Sequence, residues 1–209
     1  MYFMQTKDEL LDCFEQFVTS VRRMGKKVSH LTFRTDNEAV YTQGRVRTYF
    51  DAEGIALETC PPYLHEGNGI AEVSFLLLFG SARAMIFAQD ADIKFWPLAV
   101  RHAVFIRNRM PNANMDWRIP YQEVFGRLPD MSCVRAFWSP AFLWIDPSRR
   151  KKLDARAKQL VYVGNGDHSS QNLLLDTSSG KANPRRKASD RGEVRHHRPA
   201  RRDQTPRPP

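Results

Sequence analysis

Strand-like and helix-like periodicities alternate through the first sixty residues, and this alternation points to an α/β architecture more firmly than any other feature of the chain. Tyr2-Phe3-Met4 has strand character, and Thr6 with Glu9 makes a capping-box start for a helix. That helix carries Leu10, Leu11, Phe14, Phe17, Val18 and Val21 at helical spacing, so one face enters a core, and Gly25 stops it. Val28 to Arg34, with Leu31 and Phe33 on one side, reads as a strand. Gly44 to Ala52, with Val46, Tyr49 and Phe50 inward, reads as a helix ended at Gly54. Ile55 to Glu58 reads as a second strand, broken by Cys60-Pro61-Pro62. Two longer helices follow, at about Ile70–Gln89 and Ile93–Arg109. The second buries Trp96, Ala99, Ala103 and Ile106 and is ended by Pro111.

From Val134 the pattern shortens. Val134–Trp138, Ala141–Ile145, Leu160–Val163 and Leu173–Leu175 are apolar runs separated by Pro, Asp and Gly turns, the pattern of a small β-barrel. After Lys181, Pro and Arg dominate and order is expected to cease. The net charge of +9 is unevenly spread: residues 181–209 hold ten Lys/Arg against three Asp/Glu. Such a tail attracts polyphosphate through counterion release without reading sequence, or stands as a solvated chain end. Cys13, Cys60 and Cys133 are scattered and odd in number, which argues against a disulfide framework or structural zinc and fits an intracellular compartment. No signal peptide is apparent. The apolar run from Val73 to Phe87, interrupted by Ser74, Gly80, Ser81 and Arg83, reads as too short and too polar to cross a bilayer, so no membrane partner is expected.

Two carboxylates bear on chemistry. Asp36 lies just past the end of a strand, where side chains of a sheet project into a crevice, and Glu72 falls in the first turn of a helix; 35 residues lie between them. Two carboxylates can hold a hard cation weakly. In a chain with 23 acidic residues such a separation arises readily, and on spacing alone two solvated carboxylates are the better explanation.

The surrounding sequence decides between these readings. RTDNEAVY (Arg34 to Tyr41) resembles R-S-D-N-G-G-E-[FY], and EGNGIAEVSFLL (Glu66 to Leu77) resembles Q-x-N-G-V-A-E-R-x-N-R-T, two motifs of the integrase region of copia-type LTR retrotransposon polyproteins. FWPLAVRHAVFIRNRMP (Phe95 to Pro111) is similar to the family's W-x-x-A-x(6)-Y-x-x-N-R-x-P helix at Trp96, Ala99, Asn108, Arg109 and Pro111. IPYQEVFGRLPDMSCVRAF (Ile119 to Phe137) is similar to its P-Y-E-x-x-x-G-x-x-P-x-x-x-x-L-R-x-F-G connector, and RRKKLDARAKQLVYVGNG (Arg149 to Gly166) to its K-x-D-x-R-x(5)-F-V-G-Y segment. The matches run in the family's order over about residues 2 to 180.

The resemblance implies an α/β chain made of a partial ribonuclease H-like integrase core (1–111), a helical connector (112–133), a small SH3-like β-barrel (134–180) and a disordered basic tail (181–209). It implies Asp36 and Glu72 as catalytic metal ligands for Mg²⁺ or Mn²⁺. Nucleic-acid contacts are expected from Asn68, from Arg149, Arg150, Lys151 and Lys152, and from Arg185, Arg186, Lys187, Arg201 and Arg202. The implied partners are retroelement ends and target DNA, with a possible homo-oligomer, in the nucleus.

Three departures set an expectation of catalytic failure. The family's first metal-bridging Asp, on its first strand, has no counterpart, because the chain begins at what would be the end of strand three. Two glycines of the first motif are replaced by Glu38 and Ala39, with loss of backbone freedom. Val73-Ser74-Phe75-Leu76-Leu77 replaces R-x-N-R-T, and apolar side chains cannot pair with phosphate oxygens. The chain alone is therefore expected not to catalyse polynucleotidyl transfer. The alternative is a non-enzymatic nucleic-acid-binding module using the tail, to which Arg191, Arg195 and Arg198 also belong.

Overall fold

The computed structural model describes residues 1–60, 69–166 and 171–179, together with the backbone of Lys181–Arg186 and Arg195–His196. The architecture is mixed α/β with two small sheets. Contacts divide the chain into two units: Met1–Ser81 with Arg107–Leu128, and Ala82–Ile106 with Pro129–Pro209. The end of one long helix and most of the next belong to the second unit, and the expected boundary after residue 111 falls within the Arg107–Leu128 part of the first.

In the first unit, Lys7–Glu9 form a 3₁₀ turn leading into α1 (Leu10–Arg23). The expected capping box does not form: the Glu9 carboxylate accepts from the backbone of Gln5 (3.2 Å), one residue before Thr6, and the Thr6 side chain caps nothing. Tyr2, Phe3 and Met4 form no strand and are exposed. Val28 points into the core from a 3₁₀ turn, Val28–His30, so β1 spans only Thr32–Thr35. A short helix α2 (Ala39–Thr42) and α3 (Gly44–Glu53) then lead to β2 (Ala56–Thr59). Gly54 ends α3 at φ +68, a conformation that costs glycine little.

Strands β1 and β2 pair in parallel, with Arg34 opposite Glu58 and joined to it by an ion pair at 2.8 Å. Beneath them Phe14, Phe33 and Phe50 meet edge to face, with Phe14 at 4.8 Å from each of the other two rings. Leu10, Leu11, Val18, Val21, Val46 and Ile55 complete this core. Each aromatic pair adds about 0.5–1.5 kcal/mol beyond its area burial, which makes this cluster the chief support of so small a sheet.

Helix α4 (Gly69–Ala88) runs 20 residues, and α5 spans Trp96–Arg107 after a 3₁₀ turn, Ile93–Phe95. Ala99 and Ala103 are buried as expected, whereas Trp96 is exposed. In the first unit, the residues after α5 carry α6 (Pro120–Phe125), ended at Gly126. Here Asn108 and Arg109 meet Tyr121: the Asn108 carbonyl accepts from the Tyr121 amide (2.9 Å), and the Arg109 guanidinium lies 4.7 Å from the ring centre.

The second unit is built on an antiparallel sheet of β3 (Pro140–Trp144), β4 (Ala157–Asn165), β5 (Gln171–Asp176), β6 (Lys181–Arg186) and β7 (Arg195–His196), in the order β6-β5-β4-β3-β7. Ala82 and Ile86 of α4 and Ala99 and Val100 of α5 pack with Phe137, Val163, Leu173 and Leu175. The expected strand at Val134–Trp138 is absent because Trp138 takes φ +65, turning the chain so that its amide reaches the Tyr162 carbonyl (2.7 Å). Order also continues past the expected limit at Lys181. Strand β6 adds to β5 as a sheet edge, where Pro184, which has no N–H, is tolerated. The remainder of the expected disordered tail, residues 187–194 and 197–209, lies outside the described residues.

Candidate functional site

Asp36 sits one residue beyond β1, where the sequence placed it. Its carboxylate is exposed; Oδ1 accepts from the Thr35 hydroxyl and the Glu38 amide, both at 3.4 Å. The Lys7 ammonium pairs with Glu38 at 2.8 Å, and this partner, with a smaller influence of Asp36, raises the lysine pKa. Burial, and then Asp36 and Glu38, raise the Tyr41 hydroxyl in the same way. Two of the surroundings of Asp36 thus come from the replaced motif: Glu38, where the resembled family has glycine, recruits a lysine beside the candidate metal ligand.

Glu72 stands in the first turn of α4, also exposed. Among the described residues no hydrogen bond or ion pair links it to Asp36, and no group of three or more His, Cys, Asp or Glu side chains gathers to hold a metal ion. A two-metal clamp needs a ligand shared between the ions and two or more further oxygens. The donor set present does not fit one, and an ammonium beside Asp36 opposes a cation there.

Of the expected nucleic-acid contacts, Asn68, Lys187, Arg201 and Arg202 lie outside the described residues, while Arg185 and Arg186 fall on the backbone of β6. Arg149 ends a 3₁₀ turn, Pro147–Arg149, with Arg150, Lys151 and Lys152 after it; the turn is opened by Asp146, whose carboxylate accepts from the Ser148 amide (2.9 Å). Arg150 is committed to packing, its guanidinium 5.1 Å from the Trp144 ring centre. Arg149, Lys151 and Lys152 are exposed, and the Asp154 carboxylate accepts from the Lys151 amide (2.7 Å). Three cations in a loop flanked by Asp146 and Asp154 suit nonspecific phosphate contact.

Sequence reasoning missed His102. It is 2% exposed on α5, packed edge-on to Tyr162 and stacked near Phe105 and Phe137. Among the described residues its Nδ1 has no hydrogen-bond partner, and a Cβ at Gly164 would stand 3.4 Å from that atom. Burial pulls the imidazole pKa down to about 4. Beside it the buried Tyr162 hydroxyl donates to Asn165 Oδ1 (2.5 Å), and burial pushes it up to about 12. The only signal in the sequence was the match at Val163-Gly164, which identified the glycine without the ring it accommodates.

Helix α4 also bears on the membrane argument. Glycine and serine do not interrupt it, and Ser81 donates to the Leu77 carbonyl (2.8 Å) within the helix. By length and composition its 20 residues, with a mean hydropathy of 1.7 over an 18-residue stretch, are long and apolar enough to cross a bilayer.

The arrangement is therefore that of an α/β chain with a strand-end Asp and a helix-start Glu. Compared with known proteins, the chain is homologous to retrovirus-related Pol polyproteins of copia-type transposons. It is 29% identical over 177 residues to the polyprotein from transposon TNT 1-94 of Nicotiana tabacum, covering 84% of this chain and 13% of the relative. It is 26% identical over 182 residues to that of transposon RE2 of Arabidopsis thaliana (87% and 12%), and 27% identical over 150 residues to that of RE1 of the same plant (72% and 10%). The chain thus spans about an eighth of the length of these relatives. No protein-family model matches it. Among solved structures it is similar to a chain of the simian T-cell lymphotropic virus intasome bound to PP2A regulatory subunit B56 gamma, with TM-score 0.45, 13% identity, and coverage of 95% of this chain and 66% of that one. It is also similar to the catalytic core domain of BIV integrase, with TM-score 0.42, 18% identity, and coverage of 60% and 74%.

Proposed function

We propose that this chain is an integrase-type segment of a copia-type Pol polyprotein, derived from a metal-dependent polynucleotidyl transferase and inactive by itself. The homology over most of the chain carries this reading, together with the positions of Asp36 at a strand end and Glu72 in a first helical turn. In the ancestral chemistry Asp36 and Glu72 would hold Mg²⁺ or Mn²⁺, and the metal would activate a 3′-hydroxyl or water against a phosphodiester. In this chain, Glu38 brings Lys7 toward Asp36, and Val73 to Leu77 present apolar side chains after Glu72 where cations would meet phosphate. The antiparallel sheet is read as the SH3-like module, DNA as the ancestral partner, and the nucleus as the setting.

The test is strand transfer with a labelled retroelement-end oligonucleotide and Mn²⁺. The chain alone yields no joined product, and joining at a measurable rate overturns the inactive reading. If a further integrase segment added in trans, bearing the family's first Asp, restores joining, the integrase origin stands and the missing donor is identified.

The charge distribution favours a second reading, in which the basic tail after Gly180 binds nucleic acid without catalysis. Binding to random duplex then weakens steeply with salt. Truncation after Gly180 abolishes it, and affinity that survives the truncation rejects this reading.

A further inference from the structure

Strand β3 alternates between two environments. Ala141 is fully buried and Leu143 half-buried, and they pack with Leu160, Tyr162 and Leu174. Phe142 and Trp144 therefore stand on the opposite face, and both are exposed, at 37% and 41%. Their two-residue spacing along the strand sets them roughly 7 Å apart. On the neighbouring strand β4, Gln159 lies opposite Phe142 and Ala157 opposite Trp144, and neither side chain is large enough to cover a ring. The Arg150 guanidinium lies 5.1 Å from the centre of the Trp144 ring and steadies it.

The chain beyond this face is basic. Residues 145–159 contain six Lys/Arg against two Asp. Lys158 pairs with Asp176, and Arg150 lies on Trp144. The other four, Arg149, Lys151, Lys152 and Arg156, are exposed, and their side chains form no salt bridge among the described residues. Both aspartates are engaged locally: Asp146 accepts from the amide and hydroxyl of Ser148, and Asp154 from the Lys151 amide. These cations sit in the connection from β3 to β4, next to the Trp144 end of the strand.

Exposed rings beside unneutralised cations match one ligand chemistry, unpaired bases carried on a phosphate backbone. In a duplex every base is covered above and below by its neighbours, so a ring on a sheet face meets only sugar and phosphate. In a single strand the bases open and stack on aromatic side chains. We propose that the exposed face of β3 binds single-stranded nucleic acid, stacking bases on Phe142 and Trp144 and holding phosphates with Arg149, Lys151, Lys152 and Arg156. The site goes beyond both readings above, because it uses neither Asp36 and Glu72 nor the tail. It also selects strand state in the opposite sense to the tail, since counterion release favours the more densely charged duplex.

The experiment is fluorescence anisotropy of the full chain with labelled probes of equal length: oligo(dT), a random duplex, and an abasic strand that keeps the phosphates and lacks the bases. Oligo(dT) is expected to bind at least about tenfold tighter than either of the others. Phe142→Ala and Trp144→Ala each weaken oligo(dT) binding about 5- to 100-fold and leave duplex binding within about twofold, while Trp144→Tyr, which keeps a ring, stays within about threefold of the parent. Circular dichroism checks that the variants are folded, and the abasic comparison needs no substitution. Duplex affinity reports the tail and the excess affinity for oligo(dT) reports this face, so the two readings fail separately. A duplex or abasic strand bound as tightly as oligo(dT), or folded alanine variants that bind oligo(dT) like the parent, overturns the proposal. Polyglutamate that displaces labelled oligo(dT) as well as the unlabelled strand does also overturns it, because the face then fits an acidic peptide.

Discussion

The region around the parallel strands and the region around the antiparallel sheet treat their polar residues in opposite ways. In the first, the carboxylates that carry the resemblance to a transferase, Asp36 and Glu72, are exposed, and the sheet that positions Asp36 has two strands of four residues each. In the second, His102, Tyr162 and Asn165 are buried and locked by packing and a short hydrogen bond, yet none of them suggests chemistry. A chemical site needs rigid support beneath exposed donors. Here the rigid support and the exposed donors lie in different parts of the chain.

The sharpest way to break this comparison is to remove the centre of each core. Phe50 is fully buried and touches Phe14, Phe33 and Tyr49, so Phe50→Ala is expected to cost about 3–5 kcal/mol. Hydrogen exchange should show protection lost in β1 and β2 and kept in β4 and β5. Loss of protection in both places at once would mean that the two regions are one cooperative unit.

A pH titration separates them more gently. Burial holds His102 neutral with a pKa near 4, against 6.5 in the unfolded chain. Between those values the unfolded state takes up a proton that the folded state refuses, so stability is complete above about pH 6.5 and falls as pH drops toward 4, by on the order of 3 kcal/mol. Urea unfolding at pH 7 and pH 4.5 measures the loss, and His102→Phe flattens the component from the second region.

Smaller effects sharpen the contrast at single positions. Gly54→Ala places a side chain at φ +68, where the nearest atom, Ser29 Cβ, is at an unstrained 3.8 Å; backbone strain alone therefore acts, costing roughly 1 kcal/mol in thermal unfolding. Asp36→Asn, at an exposed carboxylate with only long hydrogen bonds, shifts stability by less than about 0.5 kcal/mol. A larger shift would show that Asp36 supports the fold after all.

Much of the first region was legible in the sequence because it is local. The spacing of Leu10, Leu11, Val18 and Val21, the stops at Gly25 and Gly54, and the strand end before Asp36 are all short-range signals. Val28 misled because a buried β-branched residue looks the same from sequence whether a strand or a 3₁₀ turn presents it. The exposure of α4 was invisible for a related reason: a helix apolar on every side carries no period to say which side is covered. In the second region, the turn at Trp138, the fit of Gly164 to His102 and the strand at Lys181–Arg186 depend on partners distant in sequence, so composition pointed elsewhere. Asp36 and Glu72 were placed correctly on their elements, and the lysine drawn in by Glu38 was not foreseen.

The proline in the outermost strand of the larger sheet has a protective effect. Among the described residues strand β6 has β5 on one side only, and Pro184 interrupts its row of donors. An incoming strand cannot zip along that margin without skipping a rung, so growth into fibrils from this side is checked at its first step. The Thr32–Thr35 and Ala56–Thr59 pair contains no proline, so when the chain is refolded at high concentration, insoluble material is expected to nucleate there first.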